Sequence, residues 1–460
     1  MGTRNDRHLT MSALVDHIET GDLDTVVVAF TDMQGRLQGK RLHARYFVDH
    51  VVGHGTEGCN YLLAVDVDMN TVDGYAISSW DKGYGDMEFV LDEQTIRLLP
   101  HLPATAMVQC DLVWPQKDGA QHSPVVQSPR TILRQQLDRA AEHGWTALAG
   151  TELEFIAFDT TYEQAHRDDY RNLTPANQYN IDYSILGTSR VEPLLRDIRN
   201  HMYAAGLDVE SAKGECNFGQ HEIGFLYAEA MMTADNHAVY KTAAKEIAAQ
   251  HGKAITFMAK YDAREGNSCH IHLSLRGKDG ELVFWDKERG ERTALYDHFV
   301  AGVLATTADF TLLYAPNINS YKRFAEGSFA PNTIAWGLDN RTCAVRLVGQ
   351  GAAARMENRV PGADVNPYLA LAAMLAGGLY GIENELPLED ELVGNAYTSG
   401  REKVPGTLAA AREVFATSKV ARAALGDDVV DHYVNMADVE LTAYNAAVTD
   451  WELRRGFERL

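Results

Sequence analysis

The segment GTELEF, residues 150–155, decides how this chain is predicted to fold. It follows a predicted helix that starts after Ser128, a residue suited to capping a helix, and stops at Gly144. Period-two alternation then places Glu152 and Glu154 on one face of a strand, with the apolar residues between and after them on the other. An acidic pair alone is typical of a half-buried strand with a solvated face. Three later segments favour a metal site instead.

The first of these segments is KGECNFGQHE, residues 213–222. It places two carboxylates, Glu215 and Glu222, seven positions apart, and it contains two glycines, Gly214 and Gly219. Glycine permits sharp bends and close backbone approach, which a ligand-bearing loop needs. The alternative is an ordinary solvated loop.

The second segment, NSCHIHLSL at residues 267–275, alternates cleanly between polar and apolar residues. His270, His272 and Ser274 face one side of the predicted strand, and the apolar residues face the core. A lone histidine would usually be structural, but two histidines on one strand face indicate a functional surface.

The third segment is RMENR, residues 355–359, which places Arg355, Glu357 and Arg359 on one face. Such a strand is either a surface ion-pair strand or a metal ligand set inside an anion-binding wall. Three further arginines lie just upstream: Arg323, Arg341 and Arg346.

Taken together, these segments offer five glutamates and one histidine as ligands: Glu152, Glu154, Glu215, Glu222, Glu357 and His270. Hard oxygen ligands suit Mg²⁺ or Mn²⁺ holding phosphate rather than structural zinc. Carboxylates for metal ions plus several arginines predict a phosphoryl-transfer site.

Bulk composition limits the classes of protein that fit. The formal net charge of −22 argues against a nucleic-acid partner or an anionic membrane surface. Five widely spaced cysteines suit a reducing compartment rather than a disulfide framework. No signal-peptide core or 18-residue apolar run is visible, so we expect a cytoplasmic protein.

The chain is long enough for two unequal domains. We predict a small sheet domain over residues 1–115, opening with a hairpin of Thr25–Phe30 and Leu37–His43, and a larger domain over residues 116–460. Four prolines from Pro100 to Pro124 predict a crossing between them. Helices and strands mix without a βαβ rhythm, which indicates an α+β fold.

Two long helices are predicted in the larger domain. One covers Ala228 to Gln250, and the other opens at Asn366-Pro367 and runs to about Glu383.

The ordered motifs resemble the glutamine synthetase superfamily over nearly the whole chain: GTELEF, KGECNFGQHEI, NSCHIHLSL, NSYKRF, LDNRTCAVRLVG, ARMENRV and DVNPYLALAAMLAGGLYGIE. The resemblance implies an N-terminal β-grasp domain and a C-terminal domain of antiparallel strands in a partial barrel flanked by helices. It also implies use of ATP with Mg²⁺ or Mn²⁺. A ring-shaped homo-oligomer, usually two stacked hexamers with active sites between subunits, is expected.

The same resemblance implies roles for individual residues. The metal nearer the amino-acid substrate would be held by Glu154, Glu215 and Glu222. The metal on the nucleotide phosphates would be held by Glu152, His270 and Glu357. The ATP-phosphate contacts would be Arg341, Arg346 and Arg355, with His272 on the same face. Glutamate would contact Gly266 and Arg323, and Arg359 would lie beside the transferred phosphoryl group.

Departures from the family pattern indicate an acceptor larger than ammonia. Phe329, in the flap GSFAP at 327–331, replaces the glutamate of ammonia-using enzymes. Glu265 replaces an asparagine, and Glu57 is a weak match to the ammonium pocket. The chain therefore looks closest to actinobacterial ligases that γ-glutamylate amines, with ethanolamine favoured over polyamines. Glu57, or else Glu326, would deprotonate the amine, and Phe329 would exclude water.

Several alternatives stay open from the sequence alone. The acceptor could be a polyamine or ammonia, and the chain could be a non-catalytic scaffold or a sensor that binds without turnover. The segment Asn395-Ala396-Tyr397 resembles the adenylylation site of the family, but the sequence expected after it is absent.

Overall fold

The structure is a computed structural model that describes residues 7–115 and 122–460. Its first sheet contains β1 (Thr25–Thr31), β2 (Leu37–His43), β3 (Thr56–Cys59), β4 (Asp86–Leu91), β5 (Arg97–Leu98), β6 (Thr105–Trp114) and β7 (Ser123–Pro124). The strand order is β2-β1-β6-β4-β3, with β5 and β7 also paired to β6. β1 runs parallel to β6 and antiparallel to β2, the mixed pairing expected of a β-grasp sheet. The predicted hairpin is confirmed.

The prediction of a crossing segment between Pro100 and Pro124 is wrong over residues 105–114. Residues Thr105–Trp114 form β6, which lies in the middle of the first sheet. The nearest prolines, Pro103 and Pro115, stand outside the strand, so no hydrogen bond of the ladder is lost. The boundary placed between residues 115 and 116 stays a prediction, since residues 116–121 lie outside the described residues.

The remaining strands are β8 (Thr146–Phe158), β9 (Val209–Gly214), β10 (Gln220–Phe225), β11 (Ala228–Glu229), β12 (Ala254–Thr256), β13 (Cys269–Arg276), β14 (Trp285–Asp286), β15 (Glu291–Arg292), β16 (Trp336–Leu338), β17 (Val345–Val348) and β18 (Arg355–Asn358). β14 and β15 pair with each other, and the others form one nine-stranded sheet. Its order is β16-β17-β18-β13-β8-β10-β9, with β11 and β12 also on β8. Only β16 and β17 are parallel among these pairs, which agrees with the predicted antiparallel partial barrel.

The helices are α1 (Met11–Thr20), α2 (Ala44–His50), α3 (Pro129–Glu142), α4 (Tyr162–Arg167), α5 (Ile185–Thr188), α6 (Glu192–Ala204), α7 (Ala230–Gln250), α8 (Ala294–Tyr314), α9 (Pro367–Glu383), α10 (Leu408–Thr417), α11 (Lys419–Leu425), α12 (Asp427–Ala446) and α13 (Asp450–Gly456). α9 has its predicted bounds, and the side chain of Asn366 caps it by accepting from the N–H of Tyr368. α7 starts later than predicted because Ala228 and Glu229 pair with β8 as β11. The α+β fold is confirmed.

The two long apolar helices α8 and α9 pack against each other through glycine. A side chain at Gly302 of α8 would collide with the backbone of Gly377 and Gly381 in α9. The absence of a Cβ at these positions lets the helix backbones approach closely. Apolar residues of both sheets and of these helices form one continuous core.

A buried ionic cluster around Arg130 joins the first sheet to the helices. Arg130, on α3, donates to Asp235 of α7 over 3.0 Å, to Asp92 over 2.5 Å and to Asp111 of β6 over 2.5 Å. The hydroxyl of Tyr368, on α9, also donates to Asp235 over 2.6 Å. Pairing of this kind offsets the cost of burying the charges.

Helix α12 lies against the turn between β1 and β2 through a buried histidine. The Nε2 atom of His432 is 2.9 Å from Sδ of Met33, and its ring packs on Tyr75. Burial lowers the pKa of His432 to about 3, so the imidazole is neutral in the folded protein. Across the described parts of the chain, no helix has the length and apolar character to cross a membrane.

We predict that His432 makes the fold sensitive to acid. Its folded pKa lies below the unfolded value near ~6.5, so the unfolded chain binds the proton first and stability falls as pH drops from about 6.5 towards 3. At pH 5.5 this one group should cost about 1.4 kcal/mol of the free energy of unfolding. The His432→Phe variant should lose correspondingly less stability between pH 7.5 and pH 5.5 in denaturant unfolding. The exposed His166→Gln variant is the control, and equal losses in all three proteins would contradict the prediction.

Candidate active site

The register of three antiparallel pairs brings the predicted ligands together. Glu152 on β8 lies directly opposite His270 on β13. Glu154, two positions along β8, lies opposite Glu222 on β10. On the other side of β13, His272 lies opposite Glu357 of β18. Directly opposed side chains on one face of a sheet are close neighbours, so the strands themselves assemble the site.

The first carboxylate group contains Glu154, Glu215 and Glu222, with one oxygen from each within 4.8 Å of the others. The backbone N–H of Ser268 donates to Glu154 over 2.7 Å, and the amide of Gln220 donates to it over 3.1 Å. Three carboxylates at this separation fit the oxygen coordination of Mg²⁺ or Mn²⁺.

The second group contains Glu152, His272 and Glu357, whose ligand atoms also lie within 4.8 Å of one another. The predicted ligand His270 contacts both carboxylates as well, with Nδ1 lying 3.4 Å from Glu152 and 3.7 Å from Glu357. Arg355 donates to Nδ1 of His272 over 3.3 Å, which leaves the Nε2–H of His272 facing Glu152 at 2.9 Å. The structure therefore brings both histidines to this group.

The electrostatics of the site favour bound cations. Burial and the charge of Glu152 raise the pKa of Glu222 to about 8, and burial also raises the pKa of Glu154. These carboxylates resist ionisation unless a positive charge compensates them. Burial and the charge of Arg359 lower the pKa of His270 to about 4, so its imidazole is neutral at pH 7 and able to bind a metal ion.

Two arginines hold the fully buried Glu357 from both sides. Arg346 donates to Oε2 over 2.8 Å, and Arg359 donates to Oε1 over 2.5 Å. Burial opposes the charged form, but the neighbouring His270 and Arg359 outweigh burial and lower the pKa of Glu357 to about 2. Glu357 therefore stays ionised beside a positively charged wall.

Two cavities adjoin at these groups. The larger, of about 470 Å³, runs along β8, β10 and β13 and reaches Phe225, Tyr227, Ser274, Arg276 and Arg355. The smaller, of about 230 Å³, contains Glu154, Gly266, Phe329, Arg341 and Arg359 on its wall. Four residues line both cavities: Glu152, Tyr183, Lys213 and Glu222.

Three predicted residues are not on either cavity wall. Arg323 is 1% exposed and donates to the carbonyl of Val360, the carbonyl of Arg359 and the hydroxyl of Ser268. Glu57 is exposed on β3, and Glu326 is exposed beside the flap. The role of Arg323 in binding glutamate, and that of Glu57 or Glu326 in deprotonating the amine, stay predictions.

Tyr397, the residue that resembles an adenylylation site, is only 9% exposed. Its hydroxyl is buried. An enzyme that modified this hydroxyl would first have to expose it.

Several residues on the walls of the two cavities were not predicted from the sequence. Arg276 continues the alternation of His270, His272 and Ser274 by one more step, so the period of β13 could have found it. Lys213 stands opposite Glu222 in the pairing of β9 with β10, which only the strand register reveals. Tyr183 lies in an irregular loop and carries no periodic signal.

The arrangement of ligands, arginines and strands can be compared with known proteins. The family model described as the catalytic domain of glutamine synthetase matches residues 126–456. This chain belongs to the glutamine synthetase family.

Three known proteins align with nearly the whole length of this chain. γ-Glutamylethanolamide synthetase GlnA4 of Streptomyces coelicolor is 63% identical over 443 residues, which are 96% of this chain and 94% of that protein. Glutamate–isopropylamine ligase of a Pseudomonas species is 37% identical over 449 residues, 96% of each chain. A solved GmaS–ADP complex has a TM-score of 0.83 at 27% identity, covering 97% of this chain and 100% of that one.

We predict that Glu152→Gln weakens Mn²⁺ binding about 10–100-fold, because it removes a charged ligand while keeping the side-chain shape. Direct titration of the purified protein with Mn²⁺, followed by electron paramagnetic resonance, measures the affinity without turnover. Glu163→Gln, at an exposed acid on α4, is the matched control. Unchanged Mn²⁺ affinity in Glu152→Gln would show that this carboxylate is not a ligand.

Proposed function

We propose that this chain joins the γ-carboxylate of glutamate to a small primary amine, ethanolamine, in an ATP-dependent ligation through γ-glutamyl phosphate. The observation that carries the proposal is the pair of adjoining cavities, which share a wall of two carboxylates, a lysine and a tyrosine. A phosphoryl group could pass from a nucleotide in one cavity to a carboxylate in the other across this wall.

The larger cavity suits a nucleotide. Its aromatic residues Phe225 and Tyr227 offer apolar surface for a base, and Ser274 offers a hydroxyl. Arg276 and Arg355 supply positive charge for phosphates on the same wall. The solved relative with ADP bound has the same overall fold, which supports this assignment.

The smaller cavity suits the acyl phosphate. Arg341, Arg346 and Arg359 lie on its wall, where they would stabilise charge that develops on the transferred phosphoryl group. The part of the same wall that contains Gly266 and Ser268 would bind the rest of the glutamate substrate. Bound at the two carboxylate groups, divalent ions would neutralise phosphate charge and polarise the phosphorus–oxygen bond.

Phe329 supports an alkylamine acceptor rather than ammonia. It lines the smaller cavity, is 56% exposed, and has the left-handed backbone angle φ of +55°. Its carbonyl accepts a hydrogen bond from Arg359 over 3.4 Å. A non-glycine residue in this conformation is strained, and such strain is concentrated at functional positions. The apolar ring would pack on an alkyl chain and exclude water from the acyl phosphate.

The names of two relatives support the same acceptor class, since one refers to ethanolamide synthesis and the other to isopropylamine ligation. Ammonia remains the second candidate because other relatives are named glutamine synthetases, such as the 37% identical protein of Thermus thermophilus. A scaffold or sensor is disfavoured because all six predicted metal ligands are present and face one site.

We predict glutamate- and ATP-dependent phosphate release at least about ten-fold faster with ethanolamine than with ammonium at equal concentration. The reason is the apolar Phe329 side chain where ammonia-using enzymes have a carboxylate. Putrescine serves as the polyamine comparison, and mass spectrometry identifies the amide product. Equal or faster phosphate release with ammonium would contradict the proposal and would indicate a glutamine synthetase that uses ammonia.

We also propose that active sites form between subunits of a homo-dodecamer. Glu57 lies on the N-terminal sheet and does not reach the cavities of its own chain. The Nζ atom of Lys40 contacts the backbone carbonyl of Glu57, and this contact holds the edge of the sheet in place. A neighbouring chain could bring Glu57 to the acceptor end of the smaller cavity, where a carboxylate can hold and deprotonate an amine.

This proposal predicts recovery of activity by subunit mixing. Glu57→Ala should raise the KM for the amine and lower kcat with little change towards ATP or glutamate. Mixed oligomers of Glu57→Ala and Glu152→Gln should be more active than either variant alone, because some sites then combine an intact Glu57 with an intact Glu152. Light scattering should give a mass twelve times that of the chain. A Glu57→Ala variant with wild-type kinetics would contradict the role of Glu57.

A further inference from the structure

The smaller cavity has both basic and acidic residues on its wall. Arg346 and Arg359 contact Glu357, whereas Asp182 and Glu265 both act electrostatically on Cys216 and form, with Glu215, what we call the acidic end. Arginines bind the phosphoryl group in the proposed function, which leaves Asp182 and Glu265 without an assigned role. Glu215 belongs to the first carboxylate group and already contacts Lys213.

Asp182 is the residue of the acidic end for which no basic partner is found among the described residues. It is exposed, and over residues 7–115 and 122–460 it forms no ion pair with a basic side chain. One of its carboxylate oxygens lies within 4.8 Å of ligand atoms of Glu215 and Cys216. Burial and the neighbouring acids, Asp182 first among them, raise the pKa of the Cys216 thiol to about 11, so the thiol stays protonated and donates to Asp182.

Glu265 differs from Asp182 because it faces a basic residue. The carboxylate of Glu265 interacts electrostatically with the ammonium of Lys260. The backbone carbonyl of Glu265 also accepts a hydrogen bond from Asn217 over 2.7 Å, which fixes this loop to the protein. Asp182 is therefore the carboxylate that is free to bind a positively charged substrate.

The residue next to Asp182 already binds an ammonium group. The ring of Tyr183 lies 5.0 Å from Nζ of Lys213, a cation–π contact at the wall that both cavities share. Phe329 provides a second aromatic ring on the wall of the same cavity. A carboxylate with aromatic neighbours is the usual environment for an organic ammonium ion.

We propose that Asp182 binds the acceptor amine in its ammonium form and thereby selects alkylamines over uncharged nucleophiles. The inference rests on the proposed ligase function. At pH 7 a primary alkylamine is almost entirely protonated, since its pKa is close to the ~10.4 of a lysine side chain. An ion pair with Asp182 holds the amine nitrogen at the acidic end of the cavity, while the aromatic rings contact its alkyl chain. Asp182 is thus a binding residue of this chain, separate from Glu57 of a neighbouring chain.

The test compares two nucleophiles in the Asp182→Asn variant of the full-length protein. Ethanolamine is charged at pH 7, whereas hydroxylamine is uncharged and needs no carboxylate to bind. Asp182→Asn keeps the side-chain shape but removes its negative charge. The KM for ethanolamine should therefore rise at least ten-fold. The rate with hydroxylamine, and the KM values for ATP and glutamate, should change less than two-fold.

Two further variants sharpen the comparison. Asp169→Asn, at an exposed aspartate paired with Arg171, is the matched control and should behave as the wild type with both nucleophiles. Glu265→Gln should raise the KM for ethanolamine less than Asp182→Asn does.

Three outcomes would overturn the assignment of Asp182. They are an unchanged KM for ethanolamine in Asp182→Asn, a parallel loss with hydroxylamine, and a larger effect of Glu265→Gln than of Asp182→Asn. Failure of the proposed function looks different, because the wild-type protein itself would then release no phosphate with ethanolamine.

Discussion

The antiparallel pairing of β8 with β13 and β10 is the constraint on which the rest of the site depends. It sets Glu152 opposite His270 and Glu154 opposite Glu222, on the face that borders the cavities. Side chains alternate between faces, so a shift of one residue would turn every ligand into the core. Apolar residues such as Leu153, which is 1% exposed, resist that shift because it would move them into the polar cavities. Hydrophobic burial on one face thus maintains the ligand geometry on the other.

Buried arginine–carboxylate pairs serve two purposes in this molecule. Around Arg130 a single guanidinium satisfies three carboxylates from different elements, which ties the first sheet to the helices. At Glu357 the ratio is reversed, with two guanidiniums on one carboxylate at the edge of a cavity. In the first arrangement the charge of Arg130 is paired with carboxylates of the protein itself. In the second, both arginines also line a cavity large enough for a phosphoryl group.

Much of the site could be predicted because its residues lie on regular strands. The alternation along β8 and β13 identified Glu152, Glu154 and the two histidines, and the structure places all four at one site. The proline-rich stretch around β6 was misassigned because proline marks the ends of strands as well as the segments between domains. Arg323 was assigned to substrate by resemblance, but in the structure its donors are directed to protein acceptors.

The sequence by itself determined which residue types share a strand face and therefore the predicted ligand set and the class of chemistry. Periodicity is local, and so it survives without knowledge of the fold. Only the tertiary structure decided that Asp182 and Tyr183 reach the smaller cavity, that Lys213 faces Glu222, and that Glu57 does not reach the site of its own chain. These placements depend on an irregular loop and on pairings between segments far apart in the chain. Such contacts leave no repeating pattern in the residues that make them.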